Sequence, residues 1–141
     1  MPAKGRAEWR GDLKGGTGTF TAGDSISGDY SFRSRFEDGP GANPEQLIGA
    51  AHAACFSMAL SGALGDAGTP PTSIKTEAVV TIRFVDGAPT ITKIELTTVG
   101  DVPGIDEAAF QQLAAGAKAG CPVSRALAGV PEITLDATLA R

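Results

Sequence analysis

The sequence predicts an α+β domain, and three observations carry that assignment. The first third alternates short β-prone runs with Gly-rich turns. A helix signal of unusually small residues follows at Asn43-Pro-Glu. A long hairpin pattern around Asp86-Gly87 then leads into further helical segments and a final strand. The expected order is β-β-β-α-β-β-α-α-β, and 141 residues suit one domain, 1–141, better than two ordinary cores.

Each element has a local reason. Strands are expected over 5–11, 16–21 and 29–37. In the third, Tyr30, Phe32 and Ser34 alternate with Ser31, Arg33 and Arg35. Asp38-Gly-Pro-Gly breaks the pattern. Asn43 suits an N-cap, Pro44 the first helical position and Glu45 the positive end of the dipole, so a helix is expected over 44–64. Its middle, Gly49-Ala-Ala-His-Ala-Ala-Cys, is small on nearly every face, which suits a central, buried helix that other backbones approach closely. Residues 74–85 and 89–99 form the hairpin, with Val80, Ile82 and Phe84 on one face. Asp106 or a nearby residue caps a second helix to about Lys118, with Ala109, Phe110, Leu113, Ala114 and Ala117 at helical spacing. Gly120-Cys-Pro stops it and starts a short helix over 123–127. The last strand covers 132–139.

Composition narrows the function. The chain is 42% hydrophobic and 20% charged, the balance of a globular protein, and carries a net charge of −4. Its basic residues are dispersed, so no nucleic-acid footprint is present. The start, Met1-Pro-Ala-Lys-Gly-Arg, lacks the apolar core of a signal peptide. The most apolar stretch, 47–64, is interrupted by His52, two serines and two glycines, so no membrane span is expected. A cytoplasmic address follows, where two cysteines are more often reactive, metal-binding or simply buried than bridged.

Local context ranks those cysteines. With Pro122 at the first position of a helix, Cys121 becomes its N-cap, where unpaired N–H groups favour thiolate. Arg125 lies one turn on. A thiolate site and a plain cap fit this context equally. Cys55, inside the small-residue helix, reads as a small core hydrophobe. His52 at i−3 shares its face; a Cys–His nucleophile is one reading, and a histidine satisfied by a backbone carbonyl is the plainer one. Arg33 and Arg35 share a strand face, and an Arg turned into a cleft would lower a thiol pKa. Glu45 can hold such an Arg in a bidentate pair. Ten residues separate Glu45 from Cys55, roughly 15 Å along an unbroken helix. One site containing both therefore needs a bridging Arg, a broken helix or a Glu45 from a second subunit. The 66-residue gap between the cysteines gives no local metal signature, although His52, Cys55 and Cys121 are three zinc-ligand types.

Two segments go further. Asn43-Pro-Glu-Gln-Leu-Ile-Gly-Ala-Ala-His-Ala-Ala-Cys-Phe-Ser-Met-Ala-Leu and Ala117-Lys-Ala-Gly-Cys-Pro-Val-Ser resemble the OsmC/Ohr family of organic hydroperoxide reductases. Trp9-Arg-Gly-Asp, Pro70-Pro-Thr-Ser-Ile and Val102-Pro-Gly-Ile-Asp extend the resemblance over most of the chain. It implies Cys55 as the peroxidatic cysteine, Cys121 as the resolving one, Glu45 as the catalytic glutamate and Arg35 as its arginine, with Arg33 a competitor. The Ohr branch takes its arginine from an earlier loop, and Leu13-Lys-Gly-Gly offers none, so the resemblance is to the OsmC branch. It further implies an OsmC-like fold, an intertwined homodimer, an organic hydroperoxide substrate and a dithiol reductant of lipoyl type or a small thiol, with no cofactor and no metal. Phe36, Phe56, Met58 and Phe110 are expected linings of an apolar mouth.

Overall fold

The computed structural model describes residues 1–141, in two compact units, Met1–Leu47 and Ile48–Arg141. In the first, β1 (Gly5–Arg10), β2 (Thr17–Ala22) and β3 (Ile26–Tyr30) form an antiparallel sheet in the order β1-β2-β3. The expected third strand is corrected here. It ends at Tyr30, and Arg35 lies instead on a short helix, α1 (Phe32–Phe36). The reason is a capping box. Ser34 N–H donates to Ser31 Oγ at 3.0 Å, and Ser31 N–H donates to Ser34 Oγ at 2.8 Å. Helical spacing then stacks Phe32 on Phe36, with ring centroids 5.1 Å apart, and pairs Arg33 with Glu37. The observed order is thus β-β-β-α-α-β-β-α-α-β.

Helix α2 (Pro44–Asp66) begins as expected. Gln46 N–H donates to Asn43 Oδ1 at 2.8 Å and Asn43 N–H donates back to Gln46 Oε1 at 3.2 Å. In the second unit, β4 (Ser73–Val85) and β5 (Ala88–Asp101) form the hairpin, and β6 (Glu132–Leu139) adds parallel to β5. Asp86 and Gly87, at φ 51° and 80°, supply the two left-handed residues that such a tight turn requires. Helices α3 (Glu107–Gly120) and α4 (Pro122–Ala126) lie between β5 and β6, with Asp106 capping α3.

The core of this unit comes from steps of four along α2. His52, Phe56, Leu60 and Leu64 are all fully buried, and the three apolar side chains meet Phe110, Ala114 and Ala117 of α3 and Leu96 and Leu139 of the sheet. Gly49 belongs to the same packing, since a Cβ there would stand 3.0 Å from the Ala78 carbonyl of β4. The expectation of a wholly buried helix is corrected: Ala51, Ala54, Met58, Ser61 and Gly62 are exposed, Met58 by 77%. Long and apolar enough by composition to cross a bilayer, α2 nevertheless has the buried stripe and fully buried histidine of a core helix.

Candidate active site

The residues singled out by the sequence form two pairs, one in each unit. In the first unit, Arg35 and Glu45 meet. Arg35 Nε donates to Glu45 Oε1 at 3.1 Å and Oε2 at 3.3 Å, and Nη2 donates to Oε1 at 2.8 Å. The Glu45 side chain is 7% exposed and that of Arg35 is 36% exposed, so the buried carboxylate is held in a fork by a side chain that is itself partly exposed. The capping devices set this geometry. Ser34 Oγ donates to Ala42 O at 2.7 Å, and Asn43 Nδ2 donates to Ser34 O at 3.0 Å, tying α1 to the start of α2. Arg33 instead makes an exposed surface pair with Glu37. An apolar cleft of about 110 Å³ lies beside Asn43 and Pro44, lined also by Ala7, Phe20, Tyr30 and Leu47.

In the second unit Cys55 and Cys121 meet. Both are free thiols, with sulfurs 2.7 Å apart and joined by a hydrogen bond. Cys55 is partly exposed and Cys121 fully buried. Burial pushes the Cys55 thiol above its ordinary value, and the hydrogen bond to Cys121 adds to this. Burial also acts upward on Cys121, but hydrogen bonding from Cys55, from Ser124 and from the Val123 amide outweighs it and leaves Cys121 below the ordinary range. The amides of Val123 and Ser124 open α4 and act on the Cys121 sulfur, as expected of an N-cap cysteine, without a formed cap hydrogen bond to it. Arg125 is exposed and has no share in this shift.

His52 does not spend its ring on Cys55 or on a backbone carbonyl. Its Nε2 lies 2.7 Å from Ser124 Oγ, and its Nδ1 is buried without a partner. Burial lowers the His52 pKa, so the ring is neutral near pH 7. Sequence reasoning missed Ser124. Its signal is the offset of three from Cys121, the spacing at which a side chain reaches back to a cap. Two expected linings are also corrected, because Phe56 and Phe110 are fully buried core residues. Nothing in their sequence neighbourhood distinguishes a lining aromatic from a core one.

Two free thiols in contact, one of them partly exposed, are the chemistry of a cysteine redox protein. Comparison with known proteins gives the family. The family model for OsmC-like proteins matches residues 37–136. The peroxiredoxin OsmC of Escherichia coli (strain K12) is 53% identical over 135 residues, covering 94% of this chain and 93% of that protein. An organic hydroperoxide resistance protein of Xanthomonas axonopodis pv. citri is 38% identical over 98 residues, covering 69% of this chain and 67% of that protein. The crystal structure of the organic hydroperoxide resistance protein OhrB of Bacillus subtilis superposes with a TM-score of 0.73 at 26% identity, covering 99% of this chain and 98% of that one. The chain belongs to the OsmC-like family and is a cysteine-based peroxidase with that family's α+β fold.

Proposed function

We propose that this peroxidase reduces organic hydroperoxides to alcohols, with Cys55 as the attacking sulfur and Cys121 as the thiol that resolves it. The observation that carries the reading is the pair itself: two free thiols 2.7 Å apart, of which only Cys55 is reachable from solvent. Cys55 attacks as its thiolate, giving up its proton to solvent, while Cys121, whose hydrogen bonds hold its pKa low, keeps its sulfur for the resolving step. That thiolate attacks the terminal peroxide oxygen, the O–O bond breaks, and the alkoxide takes a solvent proton and leaves as the alcohol. Cys55 is then a sulfenic acid. Attack by Cys121 on its sulfur gives the Cys55–Cys121 disulfide and water. A dithiol of lipoyl type, or a small dithiol, restores both thiols by exchange and is itself oxidised to a disulfide.

In this reading Arg35, held by Glu45, steadies the Cys55 thiolate and the peroxide oxygen. Because α2 is one unbroken helix, Glu45 lies roughly 15 Å along it from Cys55. We therefore assign the Arg35–Glu45 contribution to a second copy in a homodimer, which would also cover the exposed small face around Ala51, Ala54 and Met58. Residues 1–141 act as one OsmC-like domain, in the cytoplasm, without metal or cofactor. Apolar cover such as the cleft beside Pro44 suits an alkyl or fatty-acid chain better than hydrogen peroxide. Peroxide consumption under a dithiol reductant tests the reading, with cumene hydroperoxide set against hydrogen peroxide. Wild type should prefer cumene hydroperoxide, Cys55→Ser should be inactive, and Cys121→Ser should give one sulfenic event at Cys55 without turnover. Equal rates for wild type and Cys55→Ser would overturn it, and a sulfenic acid trapped on Cys121 would reverse the two roles.

A further inference from the structure

His52 has no part in the chemistry so far, yet it and Ser124 are both buried and joined at 2.7 Å across 72 residues of sequence. Their contact is incomplete in an informative way, because His52 Nδ1 is buried without a partner. Two tautomers satisfy the bond. With the proton on Nδ1, Ser124 spends its hydroxyl hydrogen on His52, and a buried N–H is left orphaned. With the proton on Nε2, His52 donates to Ser124 Oγ, and only an acceptor lone pair goes unmet. Orphaned donors are the rarer and costlier case in a dry interior, so the second tautomer is favoured. It frees the Ser124 hydroxyl hydrogen for another acceptor. Ser124 lies on α4, three residues and about one helical turn after Cys121, and its side chain acts to lower the Cys121 pKa.

We propose that His52 and Ser124 are positioning residues for the resolving thiol: His52 Nε2–H donates to Ser124 Oγ, and the Ser124 hydroxyl donates to Cys121 Sγ and holds it as thiolate. The proposal rests on the reading of Cys121 as the resolving cysteine and deepens it. Resolution needs that thiolate. Its electron pair forms the S–S bond to the Cys55 sulfenic sulfur, the S–O bond breaks, and hydroxide leaves and takes a solvent proton as water. Two hydrogen bonds in series polarise one another, so a neutral histidine acts on the sulfur without gaining charge.

The test uses Cys55→Ser protein, in which Cys121 is the sole cysteine, and reads its thiolate by ultraviolet absorbance at fixed neutral pH. Ser124→Ala and His52→Leu should each lower the thiolate-to-thiol ratio about tenfold, the scale of one hydrogen bond to a charged group. Ser124→Thr keeps the hydroxyl and His52→Gln keeps a donor at the Nε2 position, so both should retain the wild-type ratio. An unchanged ratio in Ser124→Ala overturns the proposal. So does a drop that Ser124→Thr shares. A second measurement needs no variant, and so decides the matter even where His52→Leu fails to fold. The nitrogen chemical shifts of His52 in wild type should report a neutral ring protonated at Nε2, and protonation at Nδ1 overturns the proposal. Peroxide consumption by wild type is read separately. Its absence would sink the peroxidase reading, whereas intact consumption with an unchanged thiolate ratio sinks this inference alone.

Discussion

Replacing Glu45 with Gln is the sharpest perturbation of the Arg35–Glu45 pair, because it changes charge and hydrogen bonding at nearly constant volume. The carboxylate accepts three N–H contacts from Arg35, at 2.8, 3.1 and 3.3 Å. A glutamine keeps one oxygen and turns an NH₂ toward a guanidinium N–H, so one arm of the fork becomes donor against donor. Breaking a fully buried pair costs about 3–5 kcal/mol, and an exposed pair contributes at most about 1 kcal/mol. Here the Glu45 side chain is 7% exposed but that of Arg35 is 36% exposed, so solvent recovers part of the loss on the Arg35 side. The expected cost is about 1–2 kcal/mol, or a melting temperature lower by about 3–7 °C. Denaturant titration of the reduced protein should show the midpoint falling with an unchanged slope. Turnover should fall further than stability does, with kcat/KM for cumene hydroperoxide reduced at least about tenfold. Arg35→Lys should fall between, since an ammonium cannot make the fork. Arg33→Ala supplies the control. Arg33 is an exposed partner of Glu37, and its loss should shift stability by less than about 0.5 kcal/mol. If Glu45→Gln leaves the midpoint where it was, or Arg33→Ala matches it, the assignment of Arg35 over Arg33 is wrong.

Three further outcomes follow from burial and proton linkage. His52 is neutral when folded and is the chain's only histidine. Below its ordinary value of 6.5 the unfolded state binds a proton that the native state refuses, so stability should fall as pH drops below that point, and His52→Gln should flatten this part of the profile. The reduced thiol pair should titrate in two steps, one below and one above the ordinary thiol value of 9.0. Between the first step and 9.0 the unfolded state holds more protons and the pair's contribution to stability rises with pH. Between 9.0 and the second step the native state holds more and the contribution falls; a single unshifted step in the thiolate absorbance would contradict the pairing. Met58→Glu puts a charge on the exposed small-residue face of α2 and should convert a dimer to monomer in sedimentation, whereas a wild type that sediments as a monomer removes the case for a second copy.

What the sequence made legible follows from how local each cause is. The helix start at Asn43, the cap at Asp106, the hairpin at Asp86-Gly87 and the final strand Glu132–Leu139 depend on residues within a few positions of one another, and all formed as expected. The strand assigned around Arg35 failed for a local reason too. A nine-residue alternation of apolar and polar side chains competed with Ser31-x-x-Ser34, and the capping box won, because it satisfies backbone donors that a strand end would leave open. The thiols differ in kind. Cys121 owes much of its character to the neighbours Val123 and Ser124, so its context in sequence already suggested a thiolate. Cys55 has no such neighbours. Along its own helix it is one small residue among alanines, beside a stripe of four-residue steps that begins at His52 and runs through Phe56, Leu60 and Leu64. What separates it from that stripe is partial exposure and a sulfur supplied from 66 residues away, and neither is encoded in the surrounding turn. The same holds for His52, whose position in the stripe is that of a core leucine and whose partner, Ser124, lies on another helix. Reactivity at this site is therefore a tertiary property: folding sets two unremarkable thiols against each other, and the lower pKa goes to the one with more hydrogen-bond donors around it.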